Sequence, residues 1–308
     1  MTLGTLSKMK VKLNEAGEAE YFMRLSSAEV PMAKYFGQTL RLEFTGNIYC
    51  AHCGEPTNKS FSQGYCFRHA KSLAACDLCI VRPETCHYYA GTCREPKWGE
   101  ENCMISHTVY LANSSDLKVG ITRSHQTTTR WIDQGASQAI PICTVNRRLD
   151  AGLVETALKA HISDKTNWRA LLKGDAEPID LLSKREELIQ FLPEDIEYQL
   201  DTESQVTEIK YNVANYPKKI VSHNFDKDPV VEGILLGIKG QYLILDTGVI
   251  NIRKFTSYEV EMNDCDEVSV ALPDLKSDSF LSRDESQNYY FDMGKLAKLP
   301  RVGPYGTW

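Results

Sequence analysis

The stretch Thr108-Val-Tyr-Leu-Ala-Asn-Ser-Ser-Asp-Leu-Lys-Val-Gly-Ile-Thr122 holds two strand-like runs around a polar turn. Residues 108–112 and 117–122 are rich in β-branched and aromatic types, and Asn113-Ser-Ser-Asp116 supplies turn chemistry, so the pair reads as a hairpin. Downstream, Thr127, Thr128 or Thr129 can cap a short helix through Gln134, with Gly135 ending it. Residues 139–145 form a third strand candidate. Asp150 can cap a longer helix from about Ala151 to Ile162, with Leu153, Ala157, Leu158 and Ile162 near one face. The order strand, strand, helix, strand, helix predicts an α+β fold for residues 105–175.

Immediately upstream the chain changes character. Eight of the ten cysteines lie between Cys50 and Cys103; only Cys143 and Cys265 stand outside. Clustered cysteines in a chain without a secretory leader read as metal ligands. Cys50-Ala-His-Cys53 is a knuckle, and Cys66-Phe-Arg-His69 follows after a loop that contains Gly64. Two such pairs offer the four soft or borderline ligands of a tetrahedral zinc. His52 competes as a ligand but sits inside the knuckle, where it points outward. A second knuckle, Cys76-Asp-Leu-Cys79, needs two partners from Cys86, His87, Cys93 and Cys103. Cys93 and Cys103 are chosen as a longer-looped pair. Four cysteines can also hold an iron–sulfur cluster, but the knuckles favour zinc. Both sites are closed, so the two zinc ions are expected to be structural. Residues 50–104 therefore form a zinc-ribbon-like module, and Cys143 and Cys265 read as buried core thiols.

The remaining chain divides by pattern. Residues 1–49 form an N-terminal β segment, in which residues 9–13 and 20–25 flank a turn at Asn14-Glu-Ala-Gly17. Residues 176–205 read as a helical linker. Residues 206–308 read as a C-terminal antiparallel β domain, with Gly237, Gly240 and Gly248 separating short strands. The net charge of −6 argues against a general polyanion binder, but it is unevenly spread. Residues 105–173 carry +4 and residues 174–308 carry −11, which permits a nucleic-acid surface in the middle and a protein-docking surface at the acidic end. With no secretory leader and no membrane-length apolar run, the expected location is cytoplasmic. No Walker A loop, dinucleotide-binding glycine pattern or Ser/His/Asp order emerges.

The middle segment resembles the GIY-YIG nuclease superfamily. Thr108-Val-Tyr110 stands where that superfamily has its first motif, and Lys118-Val-Gly120 where it has its second. Arg130 falls on the first helix, Glu155 on the second, and Asn167 twelve residues further on. The resemblance implies a nuclease that acts on DNA or RNA with a divalent ion such as Mg²⁺. Glu155 would hold the ion, Arg130 would brace the phosphate, and Tyr110 would take the proton of the attacking water. Lys118 replaces the second motif's tyrosine. It either assists the tyrosine or the phosphate, or marks a module that binds nucleic acid without cutting it. Joined to the cysteine knuckles, this core also resembles a bacterial family of unknown function, over most of the chain. Among the remaining candidates, His107 could approach the second metal site. Trp131 and Trp168 could stack on a base but suit core packing better.

Overall fold

The computed structural model describes residues 1–162 and 167–263, and the strands at 281–283 and 289–291. It begins with β1 (Thr2–Leu13), β2 (Ala19–Leu25), β3 (Ala28–Pro31) and β4 (Thr39–Ile48), followed by α1 (Phe67–Ser72) and α2 (Pro96–Asn102). Then come β5 (His107–Asn113), β6 (Leu117–Arg123), α3 (Thr127–Asp133), β7 (Gln138–Val145) and α4 (Arg148–Lys159). α5 (Trp168–Leu171), α6 (Leu181–Ile189), β8 (Gln199–Leu200) and β9 (Thr207–Glu208) lead to β10 (Val230–Lys239), β11 (Tyr242–Leu245), β12 (Gly248–Asn251) and β13 (Tyr258–Met262). Met1–Cys265 make one compact unit. In the second unit β14 (Leu281–Arg283) pairs with β15 (Tyr289–Phe291). Cys265 and most of the acidic tail lie outside the described residues. No described helix is long and apolar enough to cross a membrane.

The protein is α+β with antiparallel sheets. The first has the order β12-β11-β10-β4-β13-β1-β2-β3. Alternation sets its faces: Ala19, Tyr21, Met23 and Leu25 of β2 are buried, and the residues between them are not. The segments expected as a separate N-terminal region and C-terminal domain thus share one sheet. β4 lies between β10 and β13, and β13 between β4 and β1. The physical reason is closure of edges: β13 has partners on both sides only because β1 and β4 come from the far end of the chain.

The second sheet has the order β6-β5-β7-β8, with β9 also on β7. β5 is central and buried throughout. Val109 and Leu111 face Ala151, Val154 and Leu158 of α4 and Leu181 and Leu188 of α6. Tyr110 and Ala112 face the other way, into a core with Trp131 and Ile132 of α3 and the large sheet's apolar residues. Along the chain this part runs β5, β6, α3, β7 and α4.

Local details differ. α4 starts at Arg148, and Asp150 lies in its first turn instead of capping it. Arg147 holds that carboxylate with two hydrogen bonds, at 2.7 and 2.6 Å. None of the three threonines caps α3: Gln126 occupies the cap, and the Thr127 hydroxyl donates to the Ser124 carbonyl at 2.8 Å. Helix in the 176–205 linker is confined to α6, whose cap is Asp180. Trp131 is core, and Trp168 stacks on Tyr242.

Candidate metal centre and adjoining polar site

The first cysteine pair folds as a tight knuckle at the end of β4. The Gly54 amide donates to the Cys50 carbonyl at 2.8 Å, and Gly54 takes φ +73, a conformation that favours glycine. Cys66 precedes α1 and His69 lies one turn inside it. The Cys50 and Cys66 sulfurs are 3.4 and 3.3 Å from His69 Nδ1, and the ligand atoms of Cys50, Cys53, Cys66 and His69 all lie within 4.8 Å of one another. Tetrahedral zinc with ordinary bond lengths sets such atoms roughly 3.5–3.8 Å apart. The donor set and its spacing fit zinc. Burial pushes the Cys50 thiol up, but the amides of Cys66, Cys53 and His52 and the His69 ring bring it down to about 6. His52 is exposed, as a residue inside a knuckle should be. The loop is pinned to the large sheet: Ser257 Oγ donates to the Gly64 carbonyl at 2.9 Å, and Arg253 Nε to Gln63 Oε1 at 2.7 Å.

Of the second expected set, three residues border one cavity. Cys79, Cys93 and Cys103 line one small cavity together with Asp77, Cys86 and His87. Cys76 is not among its lining residues; its thiol is raised by burial and lowered by a hydrogen bond with Ser62, in the first centre's loop. The three ligand atoms of Asp77, Cys79 and His87 stand within 4.8 Å of one another. His107 is fully buried and its Nδ1 lies 2.7 Å from the Ile105 carbonyl. It has not joined either set of clustered ligand atoms. Cys143 is a buried core thiol, pushed by burial to about 12.

Tyr110 is buried across Gly120, its register partner on β6. A Cβ on Gly120 would stand 2.6 Å from the tyrosine oxygen, so the glycine makes room for the ring. The Tyr110 hydroxyl lies 2.9 Å from the Gln134 amide. With that amide turned, its nitrogen donates to Tyr110 and its oxygen accepts from Arg130 Nε and Nη2, both at 3.1 Å. Burial pushes Tyr110 up to about 12, the Arg130 charge and hydrogen bond oppose this, and the Glu155 charge adds to it. Glu155 is largely shielded and pairs with Lys159 at 3.1 Å. Lys118 lies on the same face of the hairpin, opposite Ala112. Asn167 is the N-cap of α5, where its Oδ1 accepts the Arg169 amide at 2.9 Å.

Sequence reading missed Gln134, the bridge between Tyr110 and Arg130. Its signal was the i,i+4 spacing from Arg130, which places both on one helical face. It also missed Asp133, whose buried carboxylate accepts from Gln241 at 2.9 Å and from Lys8 at 2.5 Å. Those partners are 108 and 125 residues away, and no local pattern announces them.

Fold and site define an α+β protein of antiparallel sheets in which a Cys/His centre suited to zinc is braced against the larger sheet. The chain belongs to the family described as protein of unknown function DUF2797, which matches residues 37–260. No curated protein and no solved structure matches it.

Proposed function

We propose that the protein is a zinc-stabilised phosphodiesterase acting on DNA or RNA, with its chemistry on the β5-β6-α3-β7-α4 unit. The observation that carries this reading is the coupling of Tyr110, Arg130 and Glu155. They come from a strand and two helices, and with its amide turned Gln134 donates to the Tyr110 hydroxyl and accepts from Arg130. Those residue types can bind a phosphodiester, hold a divalent ion and orient a nucleophile. Arg130 presents a planar fork to a phosphate. Tyr110 supplies a hydroxyl held in one orientation by Gln134. Glu155 is a single shielded carboxylate, a donor that suits Mg²⁺, which commonly keeps most of its water. Bound there, the ion would offset charge on the phosphate oxygens. Lys118 adds a second positive group on the hairpin face. The zinc centre, closed by four ligands, serves as structure.

A second reading, nucleic-acid binding without turnover, is favoured by one observation. A tyrosine fully buried and raised to about 12 is a weak proton acceptor at neutral pH. The test is cleavage of labelled single- and double-stranded DNA and RNA with Mg²⁺ or Mn²⁺. The phosphodiesterase reading expects cutting that is abolished by EDTA and reduced at least about 100-fold in Glu155→Ala. Salt-sensitive binding without any cutting, weakened in Arg130→Ala, would establish the second reading instead.

A further inference from the structure

The cavity beside α2 has an unusual lining. Cys79, Cys86, Cys93 and Cys103 all border it, and its volume is about 20 Å³. They are spaced by seven, seven and ten residues, without the short knuckle spacing of the first centre. Three-residue 3₁₀ turns at Leu78–Ile80, Pro83–Thr85 and Tyr88–Ala90 fold the chain around it, and α2 closes one side. Gly99 on α2 lets that helix approach: a Cβ there would stand 3.1 Å from the Tyr88 ring and 3.4 Å from Cys93 Sγ.

A second observation is the Arg148 guanidinium. It is largely withdrawn from water, with the thiols of Cys103 and Cys79 among its electrostatic neighbours. Nη2 donates to the Ile80 carbonyl at 2.6 Å, while Nε is buried with no hydrogen-bond partner among the described residues. A cation placed this way calls for an anion nearby. Four neutral thiols do not provide one. Four thiolates around a divalent ion carry a net charge of −2.

We propose that Cys79, Cys86, Cys93 and Cys103 form a second, all-thiolate centre for one divalent ion of zinc type, with Arg148 as its buried counter-charge. Cys76 is left out. The enclosed space is that of one water-sized body, which suits a single ion drawing the sulfurs inward and not a four-iron cluster. In the competing trio of Asp77, Cys79 and His87, the Asp77 carboxylate is engaged elsewhere. Asp77 pairs with Arg94 at 2.8 Å and accepts the Leu78 amide at 2.6 Å, and His87 Nδ1 lies 2.7 Å from Thr92 Oγ1. Asp77 and His87, 3.4 Å apart, act as outer partners at the rim. This assignment is independent of the phosphodiesterase reading.

The test uses the full chain. Elemental analysis should find about two zinc equivalents per protein, falling to about one in Cys86→Ser and staying near two in Cys76→Ser. Cys50→Ser should lose the other equivalent. Because substituted chains can misfold, thiol mapping on the unsubstituted protein gives a second readout. Iodoacetamide should label Cys76 while Cys79, Cys86, Cys93 and Cys103 stay protected until a chelator is added. Loss of metal in Cys76→Ser but not in Cys86→Ser would overturn the ligand set. So would labelling of Cys86 before chelation. Iron, acid-labile sulfide and visible absorbance would overturn the single-ion assignment.

Discussion

Gly120 shows how a single missing side chain sets the polar site. Its register partner is Tyr110, and the ring lies across it with its oxygen 2.6 Å from where a Cβ would be. Gly120→Ala should therefore displace a fully buried ring and break its bond to Gln134. Overpacking of this sort costs about 1–3 kcal/mol, measurable by chemical denaturation. A change under about 0.5 kcal/mol would mean that the ring is free to move aside. His107 gives a second residue-scale expectation. Burial, the main cause, together with Arg148, Arg123 and His125, lowers it to about 4, against the pull of its bond to Ile105. The folded state thus binds its proton later than the unfolded chain does. Its contribution is in place above pH 6.5 and is lost as pH falls from about 6.5 through 4, by up to roughly 3 kcal/mol. Replacing it with leucine should flatten that part of the stability–pH curve relative to the parent protein. Parallel curves would show that another group titrates there.

At the scale of elements, α4 is the joint between the cysteine module and the second sheet. Its inner face packs on β5 through Ala151, Val154 and Leu158. At Gly152 it meets the turn Pro83–Thr85, where a Cβ would lie 2.5 Å from the Glu84 nitrogen and 2.7 Å from Pro83 atoms. Ordinarily Gly to Ala inside a helix gains about 1 kcal/mol. Here the obstacle is backbone, which cannot rotate aside, so the clash should outweigh that gain. Gly152→Ala is expected to destabilise the protein by about 1–3 kcal/mol and to speed hydrogen exchange across residues 74–103. Stabilisation would mean that the turn does not press on the helix. The same element carries Arg148 at one end and Glu155 further along, so it bears on the thiol-lined cavity and on the polar site together.

For the molecule as a whole, the decisive feature is the interleaving of chain ends. β13 is held between β4 and β1, and β10 between β4 and β11. A fragment of residues 206–265 would keep its strands but lose β1 and β4, which exposes apolar edges. It should aggregate or fail to unfold cooperatively when followed by circular dichroism. Cooperative folding of that fragment would contradict the shared sheet. The Cys50–His69 centre is tied to the same sheet through Gly64 and Ser257. A chelator should consequently lower the melting temperature of the sheet signal as well as that of the knuckles.

The sequence by itself determined the local things. Alternation placed the hairpin of β5 and β6, and spacing grouped Cys50, Cys53, Cys66 and His69. These are patterns of a few residues, written by the periods of strands and turns and by the geometry of a metal shell. Tertiary structure decided the rest. It merged β1–β4 with β10–β13 into one sheet, lined a small cavity with Cys79 and not Cys76, and brought Lys8 and Gln241 to Asp133. The physical reason is that edge pairing and buried-charge compensation select partners by position in space, and a linear pattern carries no record of separations beyond the reach of one element.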